Sequence, residues 1–459
     1  MKEIIKKIIL SKYFYSITRR LYFEYFKLKG GFGGYEAVNY MKELNKTEYA
    51  SLDELKKIQS LKLQKLIQEV YNYVPYYKKI MDNKGIKPSD IKKENDLKLL
   101  PVLTKDIIRD NFNDLINKKY QLNNMELITT GGTTGKPMKF YFGKHEIGIR
   151  SAHWERWKKL AGVEKFEKFM YIGMDENAKN NPQYDGTITL FNFYLMASFG
   201  IDDKLMHKYL KKILDYKPLY LRGYASACYL LADFFKRNDI KYKLKAVLTS
   251  SDMLYPYQRK VIEDVFCCKV FDHYGQVEDI VTANECELHK GYHINMESCI
   301  IEILDESGKN LSEGNSGRII GTQLENYSMP LIRYDIGDIG TISNEKCQCG
   351  RSHTKITNLD GRKDDWIVTP EGKRVGVQIN QTMEKLYDEI LETQFLQDKK
   401  DLLLVKIVPS DKFKSSTEHE FEKEIRKQVG SLIKIEFKIA SNIPKTSGGK
   451  HKLIVSSLD

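Results

Sequence analysis

Apolar positions recur every three or four residues between Ser51 and Val70, at Leu55, Ile58, Leu61, Leu63, Leu66, Ile67 and Val70. That period places them on one helical face, and Ser51 offers the side-chain oxygen of an N-cap. Val74-Pro75-Tyr76-Tyr77 interrupts the pattern, and Leu99 to Asp106 forms a short apolar turn that caps a further helix. Beyond it the period shortens. Met125–Ile128 and Met138–Phe142 read as strands on either side of a segment with almost no apolar content. From Phe169 to Phe271, apolar runs at Phe169–Ile172, Leu219–Leu221, Ala246–Thr249 and Val270–Phe271 alternate with amphipathic stretches, which predicts a layered α/β sheet. From Tyr292 to Ile342 the chain turns β-rich, with strands expected at Ile300–Leu304, Gly317–Gly321 and Ile339–Ile342. A composition shift at Gly361-Arg362-Lys363-Asp364-Asp365 precedes βαβ-like pieces: strand Leu402–Val408, helix Glu418–Val429, strand Ile433–Ile439.

The expected organisation is α/β. A basic amphipathic segment covers 1–50, a large domain of layered sheets and helices covers 51–360 with a β-rich part at 285–355, and a small α+β domain covers 361–459. With 459 residues, 41% apolar and 30% charged, the chain can bury a large core and is not disordered. No run of eighteen apolar residues and no small-residue cleavage site is present, so the expected compartment is the cytoplasm. The net charge of +12 comes from 74 Lys and Arg mixed among 62 Asp and Glu, which describes solvated faces and argues against a nucleic-acid partner. One local excess stands out. Met1 to Gly30 carries Lys2, Lys6, Lys7, Lys12, Arg19, Arg20, Lys27 and Lys29 against Glu3 and Glu24, interleaved with Ile4, Ile5, Ile8 and Ile9. Such a segment suits an anionic leaflet at the inner membrane surface, or packing on its own domain.

The apolar-poor segment is the chemically richest one. Thr129-Thr130-Gly131-Gly132-Thr133-Thr134-Gly135-Lys136-Pro137 combines glycines whose backbone N–H groups can converge on an anion, threonine hydroxyls and one cation. A nucleoside triphosphate is its natural guest. The spacing is not that of a Walker loop, because Pro137 follows Lys136 where a Mg-binding hydroxyl belongs, and three residues separate Gly131 from Gly135.

Four further motifs follow in order: Tyr274-Gly275-Gln276-Val277-Glu278, Arg333-Tyr334-Asp335-Ile336-Gly337-Asp338, Gly361 to Asp365, and Pro444-Lys445-Thr446-Ser447-Gly448-Gly449-Lys450. This order resembles the adenylate-forming superfamily of acyl-CoA synthetases, adenylation domains and luciferases, over nearly the whole chain. Val74 to Tyr77, Leu100-Pro101-Val102-Leu103-Thr104-Lys105, Gly223-Tyr224-Ala225-Ser226 and Cys347-Gln348-Cys349-Gly350-Arg351 look most like the phenylacetate–CoA ligase branch and its CapK-type capsular-polysaccharide relatives. The resemblance implies that Thr130 to Lys136 hold the phosphates of ATP, Glu278 ligates Mg²⁺, and Tyr274 with Gly275 flanks the adenine. It implies that Asp338 accepts the ribose hydroxyls, Arg362 donates beside them, Lys450 reaches the α-phosphate and carboxylate, and Asp364 is the hinge of a mobile C-terminal lid. The acyl pocket falls at Tyr224, Ala225, Ser226 and Ser251, near Trp154 and Trp157, with no cationic or acidic specificity residue evident. Trp154 and Trp157, three apart on a helix, are equally read as core.

The chain departs from the family pattern at Gly131, where many relatives carry a second hydroxyl residue, at Met138, where many carry a lysine, and at Asp335-Ile336-Gly337-Asp338, which replaces the more usual Arg-Thr-Gly-Asp. Seven cysteines make no disulfide framework in this setting, and four lie between 286 and 349. Resemblance to zinc-bearing members of the branch implies a structural Zn²⁺ on Cys286, His293, Cys347 and Cys349, with His289 as the rival because Cys-x-x-His is equally good spacing. The implied activity is ATP-dependent activation of a carboxylic acid, then acyl transfer to coenzyme A or another thiol or amine, in surface-polysaccharide assembly. The competing readings are an adenylyltransferase that stops at the nucleotide adduct and a non-catalytic nucleotide-binding scaffold. Homodimers are common among similar enzymes.

Overall fold

The computed structural model describes residues 33–129, 138–164, 167–173, 186–188, 193–198, 203–362, 367–372, 374–375, 386, 388–446 and 451–458. Thr130, Gly131, Gly132, Thr133, Thr134, Gly135, Lys136, Asp364, Lys450 and the basic stretch through Gly30 lie outside the described residues, as does the side chain of Arg362.

Helix α1 (Gly34–Thr47) buries Tyr40 and Leu44. Helix α2 (Leu52–Tyr73) starts where expected because Ser51 and Glu54 cap one another: Glu54 N donates to Ser51 Oγ at 3.3 Å, and Ser51 N donates to Glu54 Oε2 at 2.8 Å. Its inner face holds Leu55, Leu63, Leu66, Ile67 and Val70. Leu61 departs from the expected face and lies in solvent, while Gln59 is buried and donates to the Cys299 carbonyl at 2.7 Å. The break at Val74 is a joint between helices. Pro75 is the first residue of α3 (Pro75–Lys84), where its missing N–H removes no helical bond.

Strands β1 (Glu126–Thr129) and β2 (Lys139–Phe142) pair antiparallel, with Thr129 opposite Lys139, so the ends of the glycine-rich loop are fixed even though the loop itself is undescribed. Helix α4 (Lys144–Leu160) follows. The next elements are β3 (Phe169–Gly173), β4 (Thr187–Ile188), β5 (Phe193–Ala197), α5 (Asp203–Tyr216), β6 (Tyr220–Tyr224), α6 (Ala225–Arg237), β7 (Ala246–Ser250), α7 (Pro256–Phe266) and β8 (Lys269–Tyr274). Strands β5, β3, β6, β7 and β8 run parallel in that spatial order. Parallel neighbours need crossovers, and the intervening amphipathic helices supply them.

The α/β part and the β-rich part, distinct by pattern, share one sheet. Strand β9 (Ala283–Glu285) pairs antiparallel with β8, and hydrogen bonding continues through β10 (Tyr292–Ile294), β11 (Cys299–Leu304), β12 (Gly317–Gln323), β13 (Tyr334–Ser343) and β14 (Lys355–Arg362). Among the described residues this gives twelve strands in the order β11-β12-β13-β14-β10-β9-β8-β7-β6-β3-β5-β4. Next come the short pair β15 (Ile367–Val368) and β16 (Arg374–Val375). The C-terminal part contains β17 (Ile390–Lys399), β18 (Leu402–Pro409), α8 (Ser415–Val429), β19 (Lys434–Ile439) and β20 (Ile454–Ser456), in the sheet order β19-β18-β17-β20. Phe395, Val405, Ile407, Phe421 and Ile425 fill its core. Lys236 on α6 meets Asp388, just before β17, at 2.7 Å.

Candidate active site and metal centre

Tyr274 ends β8, and its hydroxyl donates to Asp338 Oδ2 on β13 at 2.8 Å. Asp338 stands opposite Arg362 across the β13–β14 ladder, which puts the ribose-side pair expected from the motifs in register. Gly275 follows Tyr274 where a Cβ would come within 2.8 Å of His273 Nε2, so the turn after β8 admits no side chain without moving that imidazole. Glu278, buried in the same turn, accepts from the Tyr334 hydroxyl at 3.3 Å. That hydroxyl also lies 4.0 Å from the sulfur of Met138, the first described residue after the glycine-rich loop. The exit of the loop, Glu278, Tyr274 and Asp338 therefore surround the start of β13.

Where many relatives carry lysine, Met138 is core, buried in the cluster that includes Tyr334. Asp335 is tied inside the fold: Arg318 donates to it at 2.8 Å, and the Gly337 amide closes onto its other oxygen at 3.0 Å.

On the expected acyl side, Ala225 and Ser226 open α6, and Asp252 caps them. Its carboxylate accepts from Ala225 N at 2.6 Å, from Ser226 N at 3.3 Å and from the Ser226 hydroxyl. Ala225 is fully buried and Tyr224 nearly so, while Ser251 is exposed with φ +80°. Of the two tryptophans, Trp157 is core. Trp154 is half-buried, and the Arg222 guanidinium lies 3.8 Å from its ring centre. This brings a cation into the region, where the sequence made no charged specificity residue evident. Its sequence signal was a single charge inside the strand Tyr220-Leu221-Arg222-Gly223-Tyr224.

Cys286, His293, Cys347 and Cys349 converge, their ligand atoms all within 4.8 Å of one another. Cys286 Sγ lies 4.0 Å from Cys347 Sγ, and Cys349 Sγ lies 3.5 Å from His293 Nε2. Ligands on one tetrahedral Zn²⁺ stand roughly 3.5–3.8 Å apart, given Zn–S of about 2.3 Å and Zn–N of about 2.0 Å. The donor set and spacing fit that ion. His289 is not among them: it adopts φ +51°, and its Nδ1 faces Glu285 at 3.3 Å and Arg259 at 3.3 Å. Burial pushes the Cys286 thiol up to about 12, so without a cation this sulfur holds its proton.

A family model for the CapK C-terminal domain matches residues 367–457. The chain is 27% identical over 409 residues to Protein CapK of Staphylococcus aureus, covering 85% of this chain and 88% of that one. It is 23% identical over 435 residues to the phenylacetate–coenzyme A ligase of Thermus thermophilus, covering 88% and 96%. A crystal structure of a 2-hydroxyisobutyryl-CoA ligase in the postadenylation state superposes with a TM-score of 0.74 at 18% identity, covering 90% and 92%, which shows the shared fold. The described fold is thus shared with that ligase structure, the chain is similar over most of its length to CapK and to phenylacetate–CoA ligases, and residues 367–457 form a CapK C-terminal domain.

Proposed function

We propose that this protein activates a carboxylic acid with ATP, releasing pyrophosphate, and then passes the acyl group to coenzyme A. The observation that carries this reading is the meeting of Tyr274 with Asp338, and of both Met138 and Glu278 with the Tyr334 hydroxyl, around the start of β13. Attack of a carboxylate on the α-phosphorus builds negative charge on the phosphoryl oxygens and on departing pyrophosphate. In this reading Thr130 to Lys136 hold the outer phosphates, between strand ends that β1 and β2 clamp together. Glu278 is a carboxylate of the kind that Mg²⁺ prefers, and the ion supplies neutralising charge to the phosphates when bound. Asp338 and Arg362 take the ribose side. Lys450 approaches the α-phosphate for adenylation, and rotation about Asp364 exchanges it for the thiol-accepting arrangement.

Similarity to phenylacetate–CoA ligases supports coenzyme A as acceptor, and the resemblance of the sequence motifs to CapK-type capsular-polysaccharide relatives points to work in surface-polysaccharide assembly. The basic residues before Gly30 then serve to hold the enzyme near the membrane. No described helix is long and apolar enough to cross one. Cys286, His293, Cys347 and Cys349 hold a Zn²⁺ whose role is structural, since four protein ligands leave no open position.

ATP–pyrophosphate exchange measured against a carboxylic-acid library tests the proposal. Exchange that depends on an added acid supports it. Exchange with none of the acids rejects it. Lys450→Ala should depress adenylation far more than thioester formation from a supplied acyl adenylate, and equal loss of both contradicts its role.

A further inference from the structure

Arg222 and Arg150 flank the Trp154 indole, their guanidinium carbons 3.8 and 5.5 Å from the same ring centre. Arg222 also lies 5.5 Å from the Trp157 ring and 5.6 Å from that of Tyr171, its neighbour across β3 and β6. Among the described residues neither guanidinium makes a hydrogen bond or an ion pair, and the Arg222 Nε is buried without a partner. The nearby Glu155 is taken by Lys158 at 2.5 Å. A guanidinium presents five donors, so two of them held together on one indole leave unmet hydrogen-bonding capacity and mutual repulsion. Aromatic stacking attracts each cation but satisfies none of those N–H groups.

Their position suits a ligand. Arg222 lies two residues before the carboxyl end of β6 in the parallel part of the sheet, where open α/β sheets bind their ligands. His273 packs on Trp157 with ring centres 5.1 Å apart, and Tyr274, which bonds Asp338, is the next residue. The cationic pair is thus adjacent to the proposed nucleotide site and on the wall assigned to the acid.

We propose that Arg222 and Arg150 bind a second oxyanion of the acid substrate, remote from the carboxylate that is adenylated, so that the enzyme selects dicarboxylates or phosphorylated hydroxy acids over neutral acids. The inference rests on the adenylation reading for its reaction. Its chemistry is charge-assisted, bidentate hydrogen bonding from planar guanidinium to carboxylate or phosphate, with the indole holding the forks in place.

The test uses the full chain and two readouts. Tryptophan fluorescence without ATP is titrated with dicarboxylates from malonate to pimelate, each beside its monoamide, and with 3-phosphoglycerate beside glycerate. Acid-dependent pyrophosphate exchange is measured with the same pairs. At least one dianion should be preferred over its neutral-ended partner by about tenfold or more. Arg222→Gln should collapse that ratio, Arg222→Lys should restore part of it, and the KM for ATP should stay within about twofold. Arg150→Gln provides the second variant if Arg222→Gln melts early. Equal response to every dianion and its partner overturns the proposal. A variant that weakens ATP while leaving acid discrimination intact also overturns it, by assigning the arginines to nucleotide phosphate. If no acid supports exchange while fluorescence still selects a dianion, the adenylation reading fails and the oxyanion site stands.

Discussion

The Tyr274 hydroxyl reaches Asp338 at 2.8 Å although three strands, β9, β10 and β14, stand between β8 and β13 in hydrogen-bonding order. In a flat sheet those four steps at about 4.8 Å would separate the two residues by roughly 19 Å. The sheet therefore curls, and the register of β13 against β14 shifts at Ile339/Gly340 and again at Thr341/Ile342, where bulges strengthen local twist. Curling turns sequence motifs 64 residues apart into one pair of hydrogen-bonding side chains.

That bond orients the Asp338 carboxylate, which in the proposed function takes the ribose side. Tyr274→Phe keeps the ring but removes the donor, so the carboxylate loses a constraint worth about 1 kcal/mol. The KM for ATP should rise by about fivefold with little change in kcat, measured by pyrophosphate exchange. Asp338→Ala removes the acceptor itself and should cost more, about a hundredfold in kcat/KM for ATP. An unchanged KM in both variants would remove Asp338 from the nucleotide site.

The cysteine-histidine cluster gives a second expectation. Purified protein should contain close to one zinc per chain by elemental analysis, and Cys347→Ser/Cys349→Ser should lose it. One thiol, two hydroxyls and an imidazole are then left together without the cation that joined them, so the melting temperature should fall by about 5–10 °C. Cys299→Ser is the control, since Cys299 is buried but lies outside the cluster. Metal-free protein that melts with the wild type would refute the site.

Much of this was readable along the chain because the signals are local. The Ser51 capping box, the strands bracketing the glycine-rich loop and the apolar runs that became β3, β6, β7 and β8 each rest on residues close in sequence. The order of the motifs was equally legible. What escaped depends on distant neighbours. Gln59 replaces Leu61 on the inner face because its amide finds a carbonyl 240 residues away. Strand β17 carries Glu392, Thr393, Gln394 and Gln397 among its apolar residues, and Gln397 is buried only because Val368 supplies both a donor and an acceptor to its amide. Arg222 carries no local signal of its stacking, because Trp154, the ring beneath it, lies on a helix 68 residues earlier.

Acid should destabilise the protein through His153. This imidazole is fully buried beneath Tyr40, with the Thr282 hydroxyl 3.2 Å from Nδ1 and the Ser298 hydroxyl 3.1 Å from Nε2. Burial, aided by the charge of Arg156, lowers its pKa to about 3, against about 6.5 in an unfolded chain. Between those values the unfolded state binds the extra proton, so stability rises with pH. It is complete above about 6.5 and is lost as pH falls toward 3, at up to about 1.4 kcal/mol per pH unit. His153→Gln can keep both hydroxyl partners without titrating. Its melting temperature should therefore decline less steeply than wild type between pH 6.5 and 4, and parallel curves would show that His153 carries none of the acid sensitivity.

The last expectation concerns the anchor of β13. Arg333, at φ +56°, forms a buried bidentate pair with Glu302, its Nε and terminal nitrogen donating at 3.0 and 2.9 Å, and it also donates to the Leu100 carbonyl at 2.8 Å. The backbones around it interlock: Leu103 N donates to Arg333 O at 2.8 Å, and Asp335 N donates to Leu103 O at 2.9 Å. The Leu100 to Lys105 motif is thereby pinned against the residue that precedes Tyr334, whose hydroxyl serves Glu278. Glu302→Ala leaves a buried guanidinium without its counter-charge, a change that costs about 3–5 kcal/mol. Replacing both partners by apolar residues of similar size, as in Glu302→Leu/Arg333→Met, should recover much of that stability, because it removes the stranded charge as well as the pair. The KM for ATP separates the two roles. If Arg333 serves only stability, the double variant binds ATP like wild type. If the pair positions Tyr334 and Asp338, ATP affinity stays weakened after the melting temperature has recovered. The second outcome is expected, because the strained backbone at Arg333 is held by contacts that the apolar pair cannot reproduce.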